Sequence, residues 1–152
     1  MIAEFKPCRL CGSIDAPPSK SMAHRYLIGA ALSKTHCVIS GVDYSEDILA
    51  SIDCLRALGA EIYTDHDTVS IHPEGFMKTE HPVLECRESG STLRFFIPLA
   101  LCLGKDVTLR GSRRLLERPL DVYEALCSEH HFLFRKTEKE VTLCGRLASG
   151  NY

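Results

Sequence analysis

Two short polar stretches carry the residue types that grip anions. Ser19-Lys20-Ser21 is followed by Arg25, and Ser89-Gly90-Ser91 is followed by Arg94. A serine just before an apolar run reads as a helix start, where unpaired backbone N–H groups and the positive end of the helix dipole point outward. That arrangement attracts phosphate or carboxylate. Ser21 and Arg25 are four apart, as are Gly90 and Arg94, so each guanidinium shares a helical face with the first turn. Lys20 adds a point charge, and Gly90 lets a ligand approach the backbone closely. Capping alone would account for Ser19 or Ser89 taken singly; their repetition argues for more. A third cluster, Arg110, Arg113, Arg114 and Arg118, has Glu117 as its only acid. Arg118 precedes Pro119, which suits the first turn of another helix. Three cationic helix starts point to a small phosphorylated or carboxylated ligand. Asp43, Glu46 and Asp47 offer carboxylates for a general base but equally suit a helix N-terminus; the dipole role is assigned to Glu46, and Asp47 stays open.

The elements that would position these residues occur twice, at an offset of about 70 residues. After each S-x-S come an apolar helix (through Leu32, through Leu103) and a short strand ending in glycine, Cys37 to Gly41 and Val107 to Gly111. A second amphipathic helix follows, over Ser45–Leu58 with Ile48, Ile52, Leu55 and Leu58 on one face, and over Pro119–Cys127 with Leu120, Tyr123 and Leu126. Each copy closes with a hairpin, Glu61–Thr64 with Thr68–His72, and Phe132–Arg135 with Glu140–Leu143. Strands are also expected before each S-x-S, at Arg9–Asp15 and Val83–Cys86. The pattern is a βαβαββ unit, present twice, and predicts an α/β (α+β) fold in one layered body.

Composition narrows the function classes. The chain has 152 residues, 45% hydrophobic and 25% charged, with a formal net charge of −2, so no global cationic excess selects nucleic acid or an anionic membrane. No apolar run reaches the roughly 18 residues of a membrane span, and Glu4, Lys6, Pro7 and Arg9 interrupt any signal-peptide core. A cytoplasmic location with reduced thiols is expected. Of the eight cysteines, Cys37, Cys54, Cys102, Cys127 and Cys144 fall in apolar-periodic segments as small hydrophobes. Cys8 and Cys11 form the single C-x-x-C pair, read as a strand end before Gly12 rather than a metal site. Pro17 and Pro18 stand where a phosphate-binding G-x-x-x-x-G-K-[ST] loop needs glycine, and G-x-G-x-x-G and G-x-S-x-G are missing. His130-His131 are neighbours whose side chains diverge, read as an element end. No cofactor or metal is expected.

Four ordered motifs carry a family resemblance: Ala16-Pro17-Pro18-Ser19-Lys20-Ser21 with Arg25; Ser45-Glu46-Asp47; Glu88-Ser89-Gly90-Ser91-Thr92-Leu93-Arg94; and Arg114-Leu115-Leu116-Glu117-Arg118-Pro119. The chain resembles 5-enolpyruvylshikimate-3-phosphate synthase from about Gly12 to Gly150. The resemblance implies a transferase of the shikimate pathway of aromatic amino-acid and chorismate biosynthesis. It moves the enolpyruvyl group of phosphoenolpyruvate onto the 5-hydroxyl of shikimate 3-phosphate, with release of phosphate. Lys20, Ser21 and Arg25 would then contact shikimate 3-phosphate, and Lys20, Gly90 and Arg118 phosphoenolpyruvate, with Asp47, Arg94 and Arg114 as further candidates. This half carries no assigned catalytic residue. Pro18 stands where the family often has Gly, and Glu88 where it often has Asn.

The resemblance also implies two domains of three βαβαββ units each, of which about two units are present here. Residues 1–15 would be a strand segment that pairs with the other domain, 16–85 the first unit and 86–152 the second. A Ser-Ser-Gln motif and the second domain's acids and bases are not found, so an amino-terminal fragment is expected: able to bind anions weakly, inactive alone and prone to self-association through apolar surface. The intact family enzyme is expected to be a monomer. Two other readings stand beside this one. The related UDP-N-acetylglucosamine enolpyruvyl transferase usually has Lys-Asn where Lys20-Ser21 stands, and a non-catalytic anion-binding module could keep the same motifs.

Overall fold

The computed structural model describes residues 3, 4, 6, 7, 9 and 11–150. Along the chain run α1 (Lys20–Leu32), β1 (Cys37–Ile39), α2 (Glu46–Ala57), β2 (Glu61–Asp65), β3 (Thr68–His72), β4 (Val83–Glu85), α3 (Gly90–Leu101), β5 (Val107–Arg110), α4 (Arg113–Leu116), α5 (Asp121–Glu129), β6 (Leu133–Lys136) and β7 (Glu140–Cys144). The two expected copies are visible as two sheets. The first is antiparallel with strand order β1-β3-β2; the second has the order β4-β5-β7-β6, with β4 parallel to β5 and the other pairs antiparallel.

Local chemistry explains the helix boundaries. Ser19 caps α1 by accepting the Met22 N–H, and Ser89 caps α3 by accepting the Thr92 N–H. On α2, Glu46 and Asp47 stand in the first turn and Arg56 in the last, each complementing the dipole. Ile48, Ile52 and Leu55 are fully buried along one face of α2, and each such side chain contributes about 1.5–3 kcal/mol. They join one core with Leu27 of α1, Phe96 and Ile97 of α3, and the inner faces of both sheets, Val69 and Ile71 in one and Val107, Leu109, Val141 and Leu143 in the other.

Pro98 lies inside α3. It has no N–H for the Arg94 carbonyl one turn earlier, and the Tyr123 hydroxyl of α5 donates to that carbonyl instead, at 3.0 Å. The break in the ladder therefore fastens α5 to α3.

The structure departs from the sequence expectations at several points. The strand at Arg9–Asp15 does not form: Arg9 and Cys11–Asp15 carry no strand and Ile14 is 94% exposed, with Leu10 outside the described residues. A strand needs a neighbour's N–H and C=O groups, and among the described residues no strand pairs with this segment. The Cys8-x-x-Cys11 pair falls partly outside the described residues, and Cys11 is exposed and not in a strand. Pro119 does not open a helix; Leu120 is the N-cap of α5, and the Pro119 carbonyl faces the Arg94 guanidinium instead. Of the five cysteines expected as small hydrophobes, Cys54 and Cys127 are buried and Cys37 and Cys144 half-buried, whereas Cys102 is exposed just past the end of α3; Cys86 is buried as well. β4 pairs into the second sheet, parallel to β5. Among the described residues no helix is long and apolar enough to cross a membrane.

Candidate functional site

The start of α3 is anchored from both sides. The Cys86 N–H donates to the Arg110 carbonyl, the Ser89 N–H to the Cys86 carbonyl and the Ser112 N–H to the Arg87 carbonyl, so the turn before Gly90 is laced to the end of β5. Arg87 then clamps this turn to α2 through ion pairs with Glu46 and, at 2.7 Å, Asp53; hydrogen bonding to Glu46 holds its pKa above the ordinary arginine value. Glu46 thus answers a neighbouring cation as well as the α2 dipole.

A cleft of about 470 Å³ opens where α3 begins. Gly90, Ser91, Arg94 and Phe95 line it from α3, Arg118 from the segment after α4, and Asp47 and Glu88 from the sides. A Cβ at residue 90 would collide with the Arg118 guanidinium and stand 3.1 Å from that of Arg94, so glycine is what lets two cations gather at the backbone. Neither Arg94 nor Arg118 has an ion-pair partner among the described residues. Among the described residues the Arg94 guanidinium donates to the Pro119 carbonyl alone, at 3.5 Å. Two guanidiniums beside free helix-start N–H groups can hold a phosphate or carboxylate through charge-assisted forks.

The other residues of the sequence reading are distributed unequally. Lys20, the first residue of α1, forms an ion pair at 3.2 Å with Asp47. Asp47 thereby links the start of α1 to the cleft and gives Lys20 an internal counterion. Arg25 folds back onto its own first turn, donating to the Ser21 carbonyl at 2.7 Å and to the Ser21 hydroxyl, and lies 5.1 Å over the Phe95 ring, a cation–π contact at the cleft wall. Arg114 is exposed on α4 and does not line the cleft.

The arginine cluster is less free than its sequence suggests. Arg110 pairs with Glu140 at 3.0 Å and Glu85 at 3.9 Å, and Arg113 with Glu117 at 2.9 Å. Arg118 is not at a helix start: it follows the four-residue α4 and donates its N–H to the Leu115 carbonyl, so it serves through its guanidinium alone. A larger cleft, about 540 Å³ and lined by residues of α4, α5 and β6, has Arg113 already paired with Glu117.

Tyr123 was not singled out for the site by sequence, yet it holds the Arg94 backbone; the signal that could have revealed it is Pro98 placed four residues after Arg94. The Cys54 and Cys127 thiols are poor nucleophiles: a hydrogen bond with Cys86 together with burial pushes the Cys54 thiol well up, and burial also raises Cys127.

Comparison with known proteins bears on this site. The family model of EPSP synthase (3-phosphoshikimate 1-carboxyvinyltransferase) matches residues 5–128. A 3-phosphoshikimate 1-carboxyvinyltransferase of Clostridium kluyveri is 42% identical over 151 residues, covering 97% of this chain and 35% of the relative. The same enzyme of Clostridium perfringens is 40% identical over 149 residues, covering 96% and 35%. The chain spans about a third of the length of the curated relatives it matches. Among solved structures, EPSP synthase from Acinetobacter baumannii shares the fold, with a TM-score of 0.76 at 23% identity over 88% of this chain and 32% of that one. These matches favour the shikimate-pathway transferase over its UDP-N-acetylglucosamine relative.

Proposed function

The chain belongs to the EPSP synthase family, and we propose that it supplies the anion-binding part of an active site that moves the enolpyruvyl group of phosphoenolpyruvate onto the 5-hydroxyl of shikimate 3-phosphate. The observation that carries this reading is the convergence of Arg94 and Arg118, without ion-pair partners among the described residues, on the backbone of Gly90. In the reaction the hydroxyl oxygen forms a bond to the enolpyruvyl carbon, that carbon's bond to the phosphate oxygen breaks, and the hydroxyl proton must be taken up by a base. Both substrates and the leaving phosphate are anions. Arg118 and the Gly90 turn bind the phosphate or carboxylate of phosphoenolpyruvate, and Arg94 adds a second guanidinium that stabilises charge on the departing phosphate.

Lys20, Ser21 and Arg25 at the start of α1 bind the phosphate of shikimate 3-phosphate, with Lys20 turned between that anion and phosphoenolpyruvate. Asp47, paired with Lys20, orients it. Glu88 adds negative charge at the cleft edge and lowers anion affinity there. With the chain spanning 35% of its relatives' length, the 152 residues by themselves bind substrate anions weakly and do not turn them over.

The test is to supply shikimate 3-phosphate and phosphoenolpyruvate to the chain, measuring phosphate release alongside calorimetric binding. Binding without release above the protein-free rate is expected. Phosphate release that follows the chain's concentration overturns the incompetence of this portion, and heat-silent titrations with both substrates overturn the anion-site assignment.

A further inference from the structure

The described residues contain four buried polar or charged side chains, His24, Ser51, Ser89 and Thr92, and all four belong to one run of hydrogen bonds. His24 Nδ1 on α1 lies 2.7 Å from Ser51 Oγ on α2, and Ser51 Oγ lies 2.9 Å from Thr92 Oγ1 on α3. The Thr92 hydroxyl reaches Ser89 Oγ at 2.7 Å and the Asp47 carbonyl at 3.2 Å. Ser89 Oγ in turn accepts the Thr92 backbone N–H at 3.2 Å, the bond that caps α3 next to Gly90.

Counting protons fixes the direction of this run. A carbonyl oxygen only accepts, and a hydroxyl has one hydrogen to give. Thr92 gives its hydrogen outward, toward the Asp47 carbonyl or Ser89. Its oxygen therefore accepts from Ser51, and Ser51, having donated, must accept from His24. The head of the run is thus an Nδ1–H of His24, a tautomer fixed by the hydroxyls beyond it.

We propose that His24 is a positioning residue for the anion cleft, acting through Ser51 and Thr92 to hold the Ser89 cap and the Gly90 turn against which Arg118 rests. The inference rests on the reading of that cleft as an anion site, and it adds a residue of α1 that does not line the cleft. The run crosses from α1 and α2 to α3, and its branch to the Asp47 carbonyl reaches the residue that pairs with Lys20. The starts of α1 and α3 are thereby set relative to one another. Because a buried donor or acceptor left without its partner costs more than the bond itself gains, losing the head donor disturbs every hydroxyl downstream. Asparagine places an amide N–H one bond from Cγ, where His24 has Nδ1, and can replace it; glutamine places the amide one methylene further and cannot.

The experiment uses the whole chain, labelled with ¹⁵N, with inorganic phosphate as the probe. Three quantities are read: the imidazole nitrogen shifts of His24, hydrogen exchange at the Gly90 and Ser91 amides, and phosphate affinity. In the parent protein the Nδ1–H tautomer is expected near neutral pH. His24→Leu and Thr92→Val are expected to speed exchange at Gly90 and weaken phosphate binding by about fivefold or more, as the loss of one such hydrogen bond implies, while His24→Asn restores both and His24→Gln does not. Should His24→Leu fail to fold, Thr92→Val, which keeps the side-chain shape, decides the matter. An Nε2–H tautomer, or Gly90 exchange and phosphate affinity unchanged in folded Thr92→Val, overturns the proposal. If the parent protein binds no phosphate, the anion-site reading falls, while the tautomer and Gly90 exchange still judge the positioning role.

Discussion

The two copies of the repeated unit begin with the same signal and end with different sites. Ser19 and Ser89 cap their helices alike, but the second copy has β4 ahead of its helix, paired in parallel with β5, and the first has no strand in the equivalent place among the described residues. The contrast is sharpest at Ile14 and Leu84, each five residues before its capping serine: Ile14 is 94% exposed and Leu84 fully buried. Charge differs in the same sense. Lys20 at the start of α1 has Asp47 at 3.2 Å, whereas Arg94 and Arg118 at the start of α3 have no ion-pair partner among the described residues. On the proposed function, a helix start becomes a strong anion site when its turn is anchored and its cations lack an internal counterion, and among the described residues the second copy alone meets both conditions.

Gly90→Ala and Arg118→Ala break the second site most severely. Each is expected to weaken phosphate or phosphoenolpyruvate binding by about 10- to 100-fold, since a hydrogen bond to a charged group contributes about 1.5–3 kcal/mol; calorimetric titration checks it. Smaller changes are expected in the first copy. Lys20→Ala lowers affinity only severalfold, because an exposed pair such as Lys20–Asp47 contributes about 0–1 kcal/mol and already engages the cation. Asp47→Asn frees that cation and raises affinity for shikimate 3-phosphate.

Tyr123→Phe leaves the Arg94 carbonyl without its substitute donor and should lower stability by about 1 kcal/mol, read as a fall of roughly 2–4 °C in melting temperature. The helix–strand asymmetry predicts faster amide exchange along the open edge of β1 than along β5, with both copies measured in one hydrogen-exchange experiment.

The smallest effect is on pH. Burial lowers the His24 pKa, with Asp47 opposing and Lys20 and Arg25 reinforcing the shift. The unfolded chain therefore takes up this proton at a higher pH than the folded one. His24's contribution to stability is fully present above about 6.5, its unfolded value, and declines as the pH falls below it; His24→Asn removes this component from a pH series of denaturant melts.

Elements with local signals were legible in the sequence. The serine caps, the apolar face of α2 and the two hairpins follow from spacing alone, as does the gathering of Gly90 and Arg94 at one helix start. What sequence could not supply were the pairings made in three dimensions. Arg110 looks free along the chain, yet strand register sets it opposite both Glu85 and Glu140. Arg9–Asp15 has a strand's character, but its described residues carry no strand and no described strand pairs with them. Ser51 lies on the apolar face beside Ile52 and Leu55, where a hydroxyl predicts only that some partner exists; that the partners are His24 and Thr92 depends on how α1, α2 and α3 pack.

The central claim is that the anchored, uncompensated start of α3, rather than that of α1, dominates anion binding. Titrating phosphoenolpyruvate into the parent chain, Arg118→Ala and Lys20→Ala under identical conditions tests it most directly. The Arg118→Ala loss is expected to exceed the Lys20→Ala loss by about tenfold, the ratio implied by an unpaired charged contact against an exposed, internally paired one. Equal losses, or a larger loss from Lys20→Ala, contradict the account.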